Sequence, residues 1–172
     1  MKIYNDWFLY YVSFFFPVGA INNATTNIDD YYNELNTKYL QIANEEQATF
    51  LFRVSFIAVI TGLIGIYNGK TWLGLSTCVG SLLAMNYWRD PIYGLRRNLD
   101  MISIQYLMWL HIYYVLYSPI KLLYFSIQII GVLFYFVSWH YHTPSSLWTS
   151  TLCHGAVHLC TNISLLLFYT MT

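Results

Sequence analysis

Two long stretches of the sequence are almost free of charge. Residues 54–88 contain Lys70 as their only charged residue, and residues 101–172 contain only Lys121. A membrane-crossing helix needs about 20 predominantly apolar residues and satisfies its backbone hydrogen bonds internally. A transmembrane β-barrel would instead need strands of ~10 residues in which apolar and polar side chains alternate. The continuous runs therefore predict an all-α fold, a multi-pass transmembrane helix bundle.

The composition excludes several classes of protein. Hydrophobic residues make up 57% of the chain and charged residues 9%, whereas an average soluble domain carries roughly 25% charged residues. The eight basic and eight acidic side chains cancel, so no net field attracts nucleic acid. The sequence thus argues against a soluble enzyme and predicts an integral membrane protein. Its expected partners are membrane lipids, together with a second copy of the chain or another membrane protein.

Turn-forming residues divide the chain into about six predicted spans within a single membrane domain, residues 1–172. The predicted spans are Ile3–Ile21, Thr49–Tyr67, Thr71–Trp88, Asn98–Tyr117, Pro119–Trp139 and Ser146–Tyr169. The last five form a predicted five-helix core over residues 49–169. The loops at 22–48, 89–97 and 140–145 would share one side, which the distribution of Lys and Arg predicts to be cytosolic.

The N-terminal part of the chain allows more than one interpretation. Residues 3–21 are predicted to cross the membrane, but a cleaved signal peptide or an interfacial helix stays open. Residues 22–48 are polar and carry apolar side chains at helical spacing. This segment predicts either an amphipathic helix on the membrane surface or a solvated loop helix without a role.

His154 and His158 lie four residues apart in the sixth predicted span. On a helix this spacing stacks two side chains on one face, roughly 6 Å apart. Two imidazoles in that arrangement can bind one metal ion. The alternative is that both rings form hydrogen bonds to neighbouring helices, because ionisable groups inside a membrane need a partner or a cavity.

Three polar residues are predicted to approach one another near one face of the membrane. At 1.5 Å per residue, Ser81, Asp100 and His154 lie about 10, 3 and 12 Å inside their helix ends, with His142 at the mouth. Convergence at one level would be typical of a site, although a helix bundle offers many such coincidences.

Two further ionisable features have simpler interpretations. Asp100 is predicted to be held by Arg96 or Arg97, although both arginines also suit headgroup anchors. His111 stands alone in the middle of the fourth predicted span. It is predicted to be a packed, hydrogen-bonded residue rather than a ligand.

Ser81, Asp100 and the motif His154-Gly-Ala-Val-His158 together resemble the CREST superfamily of membrane hydrolases, which includes the alkaline ceramidases and the progestin/adiponectin-type receptors. Members of that family hold zinc with three histidines, and the zinc-bound water attacks an amide or similar bond in a lipid. This sequence has Met85 where the family has a histidine four residues after the serine. The family core also has seven helices, one more than is predicted here.

The resemblance implies either a zinc-dependent lipid-amide hydrolase or a non-catalytic relative. His154 and His158 would bind zinc, with His142 or His111 as the third ligand, and zinc lowers the pKa of bound water toward ~7. Asp100 would be the general base or orient a histidine, and Ser81 would support the oxyanion. The rival is a structural or assembly protein of a virion or organelle membrane without enzymatic activity. Short loops and aromatic-rich helices suit that role equally well.

Overall fold

The computed structural model describes residues 43–92, 94–142 and 147–172, and every regular element in this part of the chain is a helix. The predicted all-α fold is confirmed for these residues. In chain order the helices are α1 (Glu45–Tyr67), α2 (Thr71–Trp88), α3 (Leu95–Val115), α4 (Lys121–His140) and α5 (Leu147–Met171).

The predicted spans agree with these helices at different levels of precision. Helix α2 has the predicted bounds, and α3, α4 and α5 begin and end within three residues of theirs. The predicted first span, 3–21, and most of the polar segment, 22–48, lie outside the described residues.

Helix α1 begins at Glu45, four residues before the predicted start at Thr49. The reason is a capping box at Asn44. The Asn44 side chain accepts a hydrogen bond from the Gln47 amide (2.9 Å), and the Gln47 side chain accepts one from the Asn44 amide (3.0 Å). This reciprocal pair satisfies two amides that a helix start otherwise leaves without partners.

Three helices of the described chain, α1, α4 and α5, are long and apolar enough to cross a membrane by length and composition. This supports a membrane protein, but the six predicted spans are not supported. Helices α2 and α3 are not among the three: α2 ends in Asn86, Tyr87 and Trp88, and α3 carries Arg96, Arg97 and Asp100.

The packing order follows from close helix contacts. Helix α1 packs against both α2 and α5, α4 packs against α5, and α3 packs against α2. At the α1–α2 contact, a Cβ added to Gly62 would lie 2.7 Å from the carbonyl oxygen of Gly74. Glycine allows the two backbones to approach this closely, as small residues do between membrane helices.

The helices alternate in direction, so the bundle has two ends. At one end, Asn68, Gly69 and Lys70 connect α1 to α2, and Gly69 has a φ of 79°, which favours glycine. This end, which we call the Lys70 end, also holds the turn from α3 to α4 and the last turn of α5. The opposite end, the His142 end, holds the ends of α2 and α4 and the starts of α1, α3 and α5.

Candidate functional site

The two histidines of α5 are stacked along one side of the helix. The ring centroids of His154 and His158 are 5.2 Å apart and their planes are inclined by 61°. Both side chains are half-buried. The predicted stacking at i and i+4 is therefore confirmed, whereas a metal ligand role stays a prediction.

Trp88, the last residue of α2, lies against this pair. Its ring centroid is 5.3 Å from that of His154, and the two rings meet edge to face. Trp88 is itself buried in a cluster with Leu51, Ala84 and Tyr87. Trp88 of α2 thus covers one side of His154, and no local sequence pattern predicted this contact because the two residues are distant in the chain.

His142 lies in the loop that follows α4. Its Nδ1 atom is 3.4 Å from the hydroxyl of Ser150, which lies one helical turn before His154 on α5. The side chain retains contact with solvent. Neighbouring protein atoms nevertheless desolvate the imidazole in part, and this desolvation lowers the pKa of His142. The three predicted zinc ligands are therefore in the same region, with His142 at its edge.

Ser81 is committed to helix packing. It is buried, and its hydroxyl donates a hydrogen bond of 2.6 Å to the backbone carbonyl of Ser55 on α1. Ser81 lies about two turns before Trp88, the α2 residue that contacts His154. The geometry thus gives Ser81 a structural partner, and its predicted support of an oxyanion stays untested.

Asp100 is the buried carboxylate of α3. Asp100 is 3% exposed, and Arg97, three residues earlier on the same helix, is 4% exposed. Arg96 instead pairs with Asp90 at the surface, with 3.2 Å between Nη1 and Oδ2. Of the two arginines proposed from the sequence, Arg96 thus pairs with Asp90, whereas Arg97 is buried near Asp100 on the same helix. The Oδ1 atom of Asp100 has no hydrogen-bond partner among the described residues, which is costly for a buried group.

A second polar cluster, at the Lys70 end, joins three helices. The Tyr169 hydroxyl of α5 lies 2.7 Å from His111 Nε2 of α3 and 2.8 Å from the Thr77 hydroxyl of α2. His111 Nδ1 lies 2.8 Å from the Leu107 carbonyl oxygen, so it must donate a hydrogen bond there. The neutral imidazole then accepts at Nε2, and the Tyr169 hydroxyl donates to it.

The sequence predicted only part of this cluster. The expectation that His111 is packed and hydrogen-bonded is confirmed. Thr77 and Tyr169 were missed, because their partners lie on other helices and no local spacing links them. Within the described chain these contacts use the buried polar groups of the Lys70 end to hold helices together.

The described residues do not supply a full set of ligands for the predicted metal site. In residues 43–92, 94–142 and 147–172, no group of three or more His, Cys, Asp or Glu side chains is placed to hold a metal ion. Catalytic zinc sites use three protein ligands and structural ones use four. The paired imidazoles supply two, so the described residues do not fit a complete zinc site, and no chemical step through zinc can be derived from them.

Comparisons of the chain with protein-family models, curated proteins and solved structures found no match. The resemblance to the CREST superfamily accordingly rests on the motif residues alone.

Proposed function

We propose that this chain is a multi-pass integral membrane protein with a structural or assembly role. The proposal is supported first by α1, α4 and α5, which are long and apolar enough to cross a membrane. It is also supported by several buried polar side chains that connect helices to one another, among them those of Ser81, His111 and Ser138.

The chain directions support membrane crossing by α2 and α3 as well. Helix α1 ends and α4 begins at the Lys70 end. Helix α2 returns to the His142 end, because Trp88 contacts His154 near the start of α5. Helix α3 then runs to the Lys70 end, because His111 bonds to Tyr169 near the end of α5. A pair of helices that runs there and back beside crossing helices would share their membrane, giving five crossings over the described residues.

The observation that carries the structural role is the 2.6 Å hydrogen bond from Ser81 to the Ser55 carbonyl. A serine that activates or stabilises a reacting group needs its hydroxyl directed at that group. Here the hydroxyl of the predicted catalytic serine links α2 to α1 instead. Such side-chain bonds between helices are a common means of association inside a membrane.

Other buried hydroxyl and amide groups have the same use. The Gln128 side chain of α4 donates to the Ser164 hydroxyl of α5 at 2.7 Å. The Ser138 hydroxyl of α4 donates to the Ser150 carbonyl of α5 at 2.8 Å. Both ends of the α4–α5 contact are therefore fastened by polar groups, which suits a rigid bundle.

The outer surface also suits a membrane component. Leu122, Ile129, Leu133 and Phe136 lie on α4 with their side chains well exposed. A continuous apolar surface of this kind is stable only against lipid or a membrane-protein partner. Lipids, a second copy of the chain and another membrane protein are therefore the partners we propose.

A two-histidine metal site is the second candidate function. It is favoured by the 5.2 Å separation of the His154 and His158 rings and by the unpartnered Oδ1 atom of Asp100. A hydrolase related to the CREST superfamily would use this side of the bundle. The two functions assign different roles to the Ser81 hydroxyl: a hydrogen bond between helices, or support of an oxyanion.

Purified Ser81→Ala protein in detergent tests that role. We expect its free energy of unfolding to fall by about 1 kcal/mol, because one interhelical hydrogen bond is lost. Wild-type and Ser81→Ala protein should give the same signal with a fluorescent ceramide substrate. Ser126→Ala is the matched control, because the exposed Ser126 hydroxyl bonds to Leu122 within α4 and its removal should leave stability nearly unchanged. Ceramide hydrolysis that requires Ser81 would contradict the structural role.

A further inference from the structure

An open cavity of about 460 Å³ lies at the Lys70 end of the bundle. Its volume is in the range of small-ligand pockets, roughly 300–1,000 Å³. The lining comes from the turn between α1 and α2, the end of α3 with the following turn, and the last turns of α5. The side chains that matter for the argument are those of Lys70, Trp72, Tyr114, Tyr117 and Phe168.

Lys70 gives this cavity a positive charge. Its Nζ atom lies 5.5 Å from the centroid of the Phe168 ring, which holds the ammonium group beside the cavity. In the described chain, the acidic side chains all belong to the opposite end, at Glu45, Glu46, Asp90 and Asp100. The ammonium group of Lys70 therefore has no carboxylate side chain competing for it at its own end of the described bundle.

The aromatic side chains place the cavity at the level of lipid headgroups. Trp72 and Tyr117 are 62% and 80% exposed, and Tyr114 is 45% exposed. Exposed Trp and Tyr at the ends of membrane helices sit where the acyl chains meet the headgroups. A lysine among them is at the depth of the lipid phosphates, to which it is attracted.

We propose that this cavity binds the phosphate of an anionic phospholipid headgroup. Lys70 would supply the cation, Tyr114 and Tyr117 could donate hydrogen bonds through their hydroxyls, and Trp72 would contact the upper part of the acyl chains. The inference rests on the proposed membrane crossing of the bundle. A free phosphate ion shares the headgroup chemistry but would make no use of the exposed aromatic rings.

The experiment compares lipid adducts by native mass spectrometry of the full chain in detergent. Phosphatidylglycerol is the anionic probe and phosphatidylcholine the zwitterionic one. A lysine near the membrane surface contributes ~1 kcal/mol to binding of anionic lipid, which corresponds to about a five-fold preference. We expect wild-type protein to prefer phosphatidylglycerol by about that factor and Lys70→Gln to lose the preference. Lys70→Arg should retain it.

Lys121→Gln is the matched control. Lys121 opens α4 at the same end of the bundle, but it does not line the cavity. An equal loss of preference in Lys121→Gln and Lys70→Gln would overturn the proposal, because it would indicate a diffuse surface charge. Equal binding of the two lipids by wild type would overturn it as well.

Two further experiments distinguish failure of the cavity assignment from failure of the proposed function. Displacement of phosphatidylglycerol by inorganic phosphate alone would overturn the lipid assignment in favour of a free phosphate ion. Alkaline carbonate washing of membranes from the expressing cells tests the underlying membrane crossing. Release of the chain by that wash would overturn the proposed function itself, whereas retention of the chain with no lipid preference would overturn only the cavity assignment.

Discussion

The Tyr169 hydroxyl lies 2.7 Å from Nε2 of His111, and both side chains are buried where α2, α3 and α5 meet. The same hydroxyl is 2.8 Å from the Thr77 hydroxyl and 3.2 Å from the Leu73 carbonyl. Gly65 of α1 provides the space for the tyrosine, since a Cβ there would lie 2.8 Å from the ring. One phenol therefore connects the end of the chain to three other helices.

Replacing Tyr169 with phenylalanine should destabilise the bundle. The ring would still fill its space beside Gly65, but His111 and Thr77 would each lose a buried hydrogen-bond partner. We expect the free energy of unfolding in detergent to fall by roughly 1–3 kcal/mol, measured by thermal or denaturant unfolding. Tyr117→Phe is the control, because the Tyr117 side chain is largely exposed. Equal stability of the two variants would show that the buried cluster does not hold the helices together.

Folding of this protein should not require zinc, although His154 and His158 are paired. His154 and His158 offer two ligands, fewer than catalytic or structural zinc sites use. We therefore expect metal analysis of purified protein to find less than one zinc per chain and a chelator to leave the unfolding temperature unchanged. Stoichiometric zinc that disappears in the His154→Ala, His158→Ala double variant would favour the hydrolase instead.

His142 should make stability fall as the solution becomes acidic. Desolvation lowers its pKa in the folded state, so the unfolded state binds a proton more readily once the pH falls below ~6.5. This contribution to stability is present at neutral pH and is lost as the pH drops from ~6.5 toward the lower folded pKa. Replacement by glutamine removes the titrating group.

Unfolding temperatures of wild type and His142→Gln between about pH 7.5 and 5 check this sign. The wild type should lose stability more steeply on acidification than the variant, and the two curves should run parallel at and above neutral pH. Because other histidines are common to both proteins, the difference between the curves reports His142. A variant that is as acid-sensitive as the wild type would assign the pH dependence elsewhere.

Much of the fold could be predicted from the sequence because its causes are local. Helices α2 to α5 follow from long apolar runs separated by Gly, Pro and Asn, and the Asn68-Gly69-Lys70 turn lies where the sequence placed it. The stacking of His154 on His158 follows from helical spacing. The start of α1 was misplaced by four residues, because the capping box of Asn44 and Gln47 extends the helix into a charged segment that hydropathy excludes.

The sequence by itself determined that this chain forms apolar helices suited to a membrane, because hydropathy and backbone hydrogen bonding act over neighbouring residues. Only the tertiary structure decided the partners of the polar side chains. It directed Ser81 to the Ser55 carbonyl, Gln128 to Ser164 and Tyr169 to His111. Those choices depend on which helix faces come together, and side chains distant in the chain determine that packing jointly.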